Sequence, residues 1–262
     1  MDLGIKGKRA ICAGASAGMG KEAARKLSCA GVDLFMSARG EARLLAAAEE
    51  IAQESGSKVT PIVADHGTEQ GRATLKAACP EPDILVITCA PPRITPTFRE
   101  VEADEWRDSL ETTLIGPIEL IKEVTLGMEQ RGHGRIVLIG TGAAKMPAEI
   151  RLLSGPARSA LCNYVMAISK GLLKSDVTIN NILPGMFHTA TIADRFGAAA
   201  KENGTTYEEE CAKFAREWSI PSEDFGNPED VGAFVALLCS RFAGYISGQS
   251  IVIDGGISRS IF

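Results

Sequence analysis

The sequence predicts an α/β fold in which seven parallel strands form one doubly wound sheet, with helices on both faces and a small helical lid. Three observations favour it. Short apolar runs alternate with segments of helical spacing, a glycine-rich turn follows the first apolar run, and no linker or repeat divides the 262 residues. Strands that alternate with helices imply right-handed crossovers, and these require a parallel sheet.

The elements follow one another without a break along the chain. Strand patterns cover residues 8–13, 32–37, 58–64, 83–89, 135–140, 177–183 and 250–253. Helical spacing covers residues 21–30, 41–54, 68–78 and about 154–174, and residues 97–131 hold one short and one long helical pattern. We therefore expect a single domain over residues 1–262.

The first strand leads into the turn GASAGMG, which spans residues 14–20. Such a turn lets the backbone approach a pyrophosphate, and the helix after it offers unpaired N–H groups and the positive end of its dipole. The same glycines also suit a tight turn with no ligand. The turn alone leaves both interpretations open.

Residues 188–227 are polar, rich in Ala and Glu, and carry helical patterns around 192–200 and 207–218. They precede the last strand, at the carboxyl edge where α/β sheets bind ligands. We expect a mobile substrate lid there. A surface helical hairpin with no role in binding is the alternative.

The charge and cysteine patterns narrow the class of partner. The formal net charge is −5 and no block of Lys or Arg occurs, so we expect a small-molecule substrate and neither nucleic acid nor a membrane as partner. The seven cysteines are scattered without CxxC spacing and are interpreted as reduced core residues, not a disulfide frame or metal site. With no apolar signal segment or run of about 18 apolar residues, a cytoplasmic location is expected.

Several separated motifs together resemble the short-chain dehydrogenase/reductase family, whose members have a Rossmann-type fold. AGASAGMG at residues 13–20 is similar to the family's TGxxxGxG, and Asp65 matches its adenine-contacting Asp. PGMFHT at 184–189 resembles the segment beside the nicotinamide, and GQSIVIDGG at 248–256 resembles the C-terminal strand and turn. The resemblance covers nearly the whole chain. It extends to atypical 3-oxoacyl-ACP reductase-like members that carry S-x-x-x-R in place of YxxxK, as residues 154–158 do here.

The choice of cofactor rests on the end of the second strand. A guanidinium binds a 2′-phosphate bidentately, whereas a carboxylate would accept from a ribose hydroxyl and repel that phosphate. Here the strand ends at Arg39, with no acidic residue before Glu41. We predict NADP(H) over NAD(H). A solvated Arg39 is the alternative, since Ala17 stands where many NADP-dependent relatives carry a second basic residue.

The resemblance implies a cofactor site at the carboxyl ends of the strands. Its expected residues are Gly14, Ser16, Ala17, Gly18, Met19, Gly20, Arg39, Asp65, His66, Cys89, Ala90, Arg158, Pro184, Gly185 and Thr189.

Family enzymes use Asn, Ser, Tyr and Lys for catalysis, and the resemblance places Thr113, Thr141, Ser154 and Arg158 at these positions. An aliphatic hydroxyl is a far weaker acid than a phenol, and Arg stays protonated at any working pH. Thr141, Ser154 and Arg158 are therefore expected to hold an oxyanion and the nicotinamide ribose. Ser154 also suits the N-cap of the helix that begins at Gly-Pro.

Two nearby residues are candidates for a replacement proton donor. Lys145 lies in the same loop as Thr141, and His188 lies in the PGMFHT segment and titrates near neutrality. Both are equally compatible with a solvated surface position. The predicted catalytic set is Thr141, Ser154, Arg158 and Lys145.

Three functions remain open from the sequence. The first is an NADP(H)-dependent oxidoreductase that interconverts a ketone, including 3-oxoacyl compounds, and a secondary alcohol. The second is a non-redox lyase or hydratase, and the third a catalytically silent NADP-binding subunit. By resemblance we also expect a homodimer or homotetramer, paired through the helices after strands four and five. Apolar residues that could mediate this pairing, or face the core instead, are Ile118, Ile121, Val124, Leu161, Val165 and Ile168.

Overall fold

The structure is a computed structural model and describes residues 1–259. Its strands are β1 (Arg9–Ala13), β2 (Asp33–Ala38), β3 (Val59–Val63), β4 (Ile84–Thr88), β5 (Gly134–Ile139), β6 (Val177–Pro184) and β7 (Ser250–Ile253). They form one sheet in the order β3-β2-β1-β4-β5-β6-β7, and every neighbouring pair is parallel. The predicted seven-stranded parallel sheet is confirmed.

Helices cover both faces of this sheet. They are α1 (Gly18–Cys29), α2 (Glu41–Ser55), α3 (Glu69–Ala78), α4 (Ala103–Leu110), α5 (Gly116–Arg131), α6 (Gly155–Leu172), α7 (Ala190–Asn203), α8 (Tyr207–Glu217) and α9 (Pro228–Leu238). One apolar cluster joins α1, α2 and α9 to one face, and a second joins α3, α5 and α6 to the other. Burial on both faces explains why the strands are continuous apolar runs.

Helix α1 begins at Gly18, inside the glycine-rich turn, whereas the sequence pattern predicts a start at residue 21. Glycine is a poor helix former, so propensity hides this first turn. A Cβ on Gly20 would lie 2.5 Å from the carbonyl oxygen of Gly14, so the turn folds back closely on itself. Tertiary contact therefore overrides propensity here.

Helix α9 has no counterpart among the elements predicted from sequence. Its signals are present: Asn227 accepts a hydrogen bond from the Glu229 N–H as N-cap, and Pro228 occupies the first turn. The helix packs closely on α1, since a Cβ on Gly232 would lie 2.6 Å from the Glu22 carbonyl oxygen. α9 thus completes one helical layer of the core.

Helices α7 and α8 lie between β6 and β7 in the chain and form an apolar cluster of their own. The buried members are Phe196, Cys211, Ala215, Ile220 and Phe225. The predicted helical patterns at 192–200 and 207–218 correspond to these two helices, each within a few residues.

The six apolar residues considered for subunit pairing face inward. Ile121, Val124, Leu161 and Val165 are buried, and Ile118 and Ile168 pack against the same core cluster. The alternative, that they belong to the core, is therefore the correct one. The outer surfaces of α5 and α6 instead expose Leu126 (64%) and Met166 (60%).

Burial and helix length bear on the cysteines and on possible membrane-spanning helices. Cys12, Cys79, Cys211 and Cys239 are buried as predicted, whereas Cys29 is exposed at the end of α1. Within residues 1–259, every helix is too short or too polar to span a bilayer.

Candidate active site

A cleft opens at the carboxyl ends of the strands, centred where the strand order reverses between β1 and β4. Open α/β sheets bind ligands at this switch point. All fifteen residues predicted to hold a cofactor line the cleft, together with Thr141 and Ser154. The structure thus gathers residues from six separate loops into one surface.

Gly14 shapes the floor of the cleft. Its φ of +76° suits glycine, and a Cβ there would lie 2.0 Å from the Thr88 carbonyl oxygen. The N-cap of α1 is Ala17, whose side chain caps nothing, so the first N–H groups of the helix lack a side-chain partner. A glycine cradle below an uncapped helix N-terminus fits a pyrophosphate.

Two arginines lie at the end of the cleft nearest β2 and β3. Arg39 is largely exposed, and its Nη1 lies 3.9 Å from Oδ2 of Asp65. Arg43, in the first turn of α2, lines the cleft beside it. Arg43 was missed from the sequence because it follows Arg39 by one helical turn, outside any recognised motif. Two guanidinium groups fit a 2′-phosphate.

His66 and Cys89 form the wall between this end and the centre. His66 Nε2 lies 3.4 Å from Cys89 Sγ, and the thiol donates to the Thr112 carbonyl oxygen at 3.3 Å. Burial lowers the pKa of His66 and raises the pKa of Cys89 to about 11. Both side chains therefore favour their neutral forms and contribute shape, not charge.

Ser154, at the start of α6, and Arg158, one helical turn further along, form a hydrogen-bonded pair. Arg158 Nη1 donates to Ser154 Oγ at 2.9 Å, and Nη2 donates to the Cys89 carbonyl oxygen at 3.2 Å. Both side chains are buried, and burial lowers the pKa of Arg158. The guanidinium remains charged, because its ordinary pKa is so high.

The prediction of Ser154 as an N-cap is confirmed for its position but not for its side chain. Ser154 occupies the N-cap position of α6, but its hydroxyl accepts no backbone N–H of the helix. Its Oγ accepts from Arg158 instead. The side chain therefore belongs to the cleft and not to the helix cap.

Thr141 and Thr113 differ in their relation to the cleft. Thr141 lines it, and its Oγ1 accepts the Ala143 N–H at 3.4 Å, which leaves its hydroxyl proton available. Thr113 is buried in a π-helical turn between α4 and α5 and donates to the Ser109 carbonyl oxygen at 2.6 Å. Thr113 lies behind the cleft wall.

Neither suggested proton donor lines the cleft. Lys145 is exposed beyond the turn that follows Thr141. The His188 ring lies in the lid, where Nδ1 is 2.7 Å from Tyr207 Oη and Nε2 is 3.2 Å from Asp224 Oδ1. This ring faces a second depression formed by α7 and α8. The sequence placed both residues near the pocket only through their neighbours in the chain.

Several lining residues lie outside the predicted set. Arg151 belongs to a 3₁₀ turn, Glu149–Arg151, and the lid contributes Ala190, Thr191 and Ile192. No local motif marks these residues, since their position depends on how the loop and lid fold over the sheet.

The chain was compared with known families and structures. A family model described as enoyl-(acyl carrier protein) reductase matches residues 14–258. That match covers six of the seven strands, the residues that line the cleft, and helices α7 and α8. The chain belongs to the short-chain dehydrogenase/reductase family. The predicted family is thereby confirmed.

Individual relatives match this chain over all or nearly all of its length. The 3-oxoacyl-(acyl-carrier-protein) reductase FabG of Aquifex aeolicus is 27% identical, over 98% of this chain and 100% of the relative. L-sorbose reductase from Gluconobacter frateurii, in complex with NADPH and L-sorbose, is 26% identical with a TM-score of 0.94 over 100% of both chains.

An NADPH-bound short chain oxidoreductase from Pseudomonas aeruginosa PAO1, described as containing an atypical catalytic center, is also similar. It is 25% identical, with a TM-score of 0.87 over 97% of each chain. Both of these solved structures hold NADPH, in agreement with the predicted cofactor.

Proposed function

We propose that this chain is an NADP(H)-dependent oxidoreductase that interconverts a ketone and a secondary alcohol through a non-standard catalytic site. A 3-oxoacyl compound is the first substrate class to test, because a 3-oxoacyl reductase is among the relatives. One observation carries the proposal: Thr141, Ser154 and Arg158 line the same cleft as the glycine turn and Arg39.

The residues present fit NADP(H) along the cleft. The uncapped start of α1 and the Gly14 cradle suit the pyrophosphate, and Arg39 with Arg43 suits the 2′-phosphate. Asp65 would contact the adenine, and the segment around Gly185 would lie beside the nicotinamide. When bound, the cofactor supplies or accepts the hydride.

Ser154 would bind the carbonyl oxygen of the substrate. Because its Oγ accepts a hydrogen bond from Arg158, its own O–H remains free to donate into the cleft. The adjacent guanidinium strengthens that donor and favours negative charge on the oxygen. Thr141 would provide a second hydroxyl donor. Fixed donors aimed at a developing oxyanion often supply the largest catalytic contribution.

Proton transfer is the weak step of this site. The residues described as lining the cleft include no Tyr or Lys. The proton would pass through the Ser154 hydroxyl or water, both poor acids beside a phenol held near a cation. Since general acid help contributes about 10²- to 10⁴-fold, we expect slow but measurable turnover.

The first experiment compares Ser154→Ala with wild type in NADPH binding and ketone reduction. Loss of an oxyanion donor is expected to lower kcat/KM by about 100-fold and leave the NADPH Kd unchanged. Ser175→Ala, the same change beyond the opposite end of α6, is the matched control and should keep full activity.

A second experiment uses the double variant Ser154→Tyr with Arg158→Lys. It should raise turnover, because it supplies a phenol beside an ammonium group. Substrate conversion without a change in nicotinamide absorbance would contradict redox chemistry and favour the lyase alternative. Tight NADPH binding with no turnover of ketones, 3-oxoacyl thioesters or alcohols would favour the silent subunit.

A further inference from the structure

The centre of the cleft carries positive charge that the protein does not neutralise. Arg151 and Arg158 both line the cleft beside Ser154. Over residues 1–259, neither guanidinium lies within 4.0 Å of a carboxylate oxygen, the limit for an ion pair. Arg158 is buried and Arg151 is partly buried, so water screens both charges incompletely.

The acidic residue in the same turn as Arg151 and the acidic residue of the cleft both have other partners. Glu149, in the same 3₁₀ turn as Arg151, uses Oε1 to accept the Phe98 N–H at 3.2 Å. Asp65 is the acidic residue among those described as lining the cleft, and it lies beyond β3 near Arg39. Its carboxylate accepts the Gly67 N–H at 2.9 Å and lies 3.9 Å from Arg39, so it is already engaged.

A third arginine approaches from the lid. Arg195 on α7 holds its guanidinium carbon 5.3 Å from the centre of the Phe196 ring and 6.0 Å from that of Phe214. Burial lowers the pKa of Arg151, and the charges of Arg195 and Arg158 lower it further. The three like charges therefore repel one another in this part of the molecule.

The backbone beneath Arg151 is fixed. Thr95, which is fully buried, donates from its N–H to the Ile150 carbonyl oxygen at 3.2 Å and from its Oγ1 to the Glu149 carbonyl oxygen at 2.7 Å. These bonds tie the 3₁₀ turn to the loop after β4. They fix the point from which the Arg151 side chain extends, which lowers the entropic cost of ordering it on a ligand.

Partly buried cations without a counter-ion favour an anionic ligand, and Arg matches the planar geometry of carboxylate and phosphate oxygens. In the proposed function, which this inference extends, Arg158 is occupied by Ser154 and the cofactor. Arg151 then has no assigned partner. We propose that the substrate carries an oxyanion group, a carboxylate or phosphate, which Arg151 binds while the carbonyl lies against Ser154.

The first test uses matched ketones that differ in charge. One pair is 4-oxopentanoate and its methyl ester, and the other is dihydroxyacetone phosphate and dihydroxyacetone. Wild type is expected to favour the charged member of at least one pair by about tenfold or more in kcat/KM. The pair that shows the preference distinguishes carboxylate from phosphate.

Arg151→Gln should lower kcat/KM for that charged member by about tenfold to a hundredfold, the loss of one charge-assisted contact, and leave the neutral member unchanged. Arg151→Lys should retain part of the preference because it keeps the charge. Arg107→Gln, an exposed arginine on α4 outside the cleft, is the control and should behave as wild type. Equal use of both members of each pair by wild type would contradict the inference.

A binding measurement separates this inference from the proposed reaction. Protein saturated with NADPH, so that the cofactor's own anion sites are filled, is titrated with succinate or inorganic phosphate and its thermal midpoint is recorded. One of these anions should raise the midpoint by at least about 2 °C in wild type and Arg107→Gln, but not in Arg151→Gln. Absence of a shift in wild type would overturn the inference, even where reduction is observed. A shift without any ketone reduction would retain the anion site and reject the reaction.

Discussion

Ser154 receives a hydrogen bond from a guanidinium that has no carboxylate partner among the described residues. By resemblance, this pair stands at the positions of the phenol and ammonium of the family pattern. A guanidinium does not release its proton near neutral pH, so in the proposed site Arg158 would orient and polarise the hydroxyl without exchanging protons with it. We therefore propose a site that is better suited to binding an oxyanion than to transferring a proton.

The cofactor prediction is tested at Arg39 and Arg43. We expect wild type to bind NADPH at least about tenfold more tightly than NADH, roughly 1.4 kcal/mol for contacts to the 2′-phosphate. Arg39→Gln combined with Arg43→Gln should remove this preference by weakening NADPH binding alone. Isothermal titration with both cofactors measures it, and Arg107→Gln serves again as the control. Equal affinities in wild type would reject the assignment of Arg39.

At the scale of elements, the lid is distinct from the sheet that carries it. Phe196, Phe214 and Phe225 pack edge to face, with ring centroids 5.4 to 5.8 Å apart, and Trp218 stacks on Phe214. These contacts join α7 to α8 within their own cluster. Because α7 and α8 form an apolar cluster of their own, we propose that this lid opens locally while the sheet remains folded.

Phe225→Ala tests this independence. Removing a buried aromatic ring costs about 3–5 kcal/mol. Here we expect this cost to lower the free energy of local opening of residues 190–226. Hydrogen exchange measured by mass spectrometry should accelerate by about a hundredfold or more in α7 and α8, with β4 and β5 unchanged. Phe242→Ala, an exposed phenylalanine outside the lid, is the matched control. Equal acceleration throughout the sheet would show that lid and core unfold together.

At the scale of the whole molecule, we propose that the chain is one domain, since the lid is inserted between two strands of the same sheet. The homo-oligomer expected by resemblance remains a prediction. The residues first considered for pairing are core residues, and the exposed apolar side chains of the same helices are Leu126 on α5 and Met166 on α6. These two side chains are the ones that a subunit contact through α5 and α6 would cover.

Light scattering after size-exclusion chromatography should therefore give a mass of about two or four times the 27.7 kDa chain. Leu126→Glu with Met166→Glu should shift the protein to the monomer, because a charge buried in an apolar contact is costly. Leu45→Glu, an exposed leucine on α2 in the opposite helical layer, should leave the mass unchanged. A wild-type mass of 27.7 kDa would reject the oligomer.

The amino-acid sequence alone is enough to predict the parallel sheet, the family and a large part of the cleft. Apolar runs and glycine turns are local signals, and residues that follow parallel strands must meet at one edge of the sheet. For this reason the fifteen predicted cofactor residues, from Gly14 to Thr189, line one cleft. Each lies within a few residues of a strand end, a short turn or a recognisable motif.

Which charged side chains enter that cleft depends on tertiary packing. Lys145 and His188 are close in sequence to cleft residues but face away, whereas Arg43 and Arg151 line the cleft without any motif. The direction of a side chain on a loop depends on contacts distant in sequence, such as the bonds from Thr95 that fix the turn before Arg151. Those long-range contacts are set by packing, which local patterns do not encode.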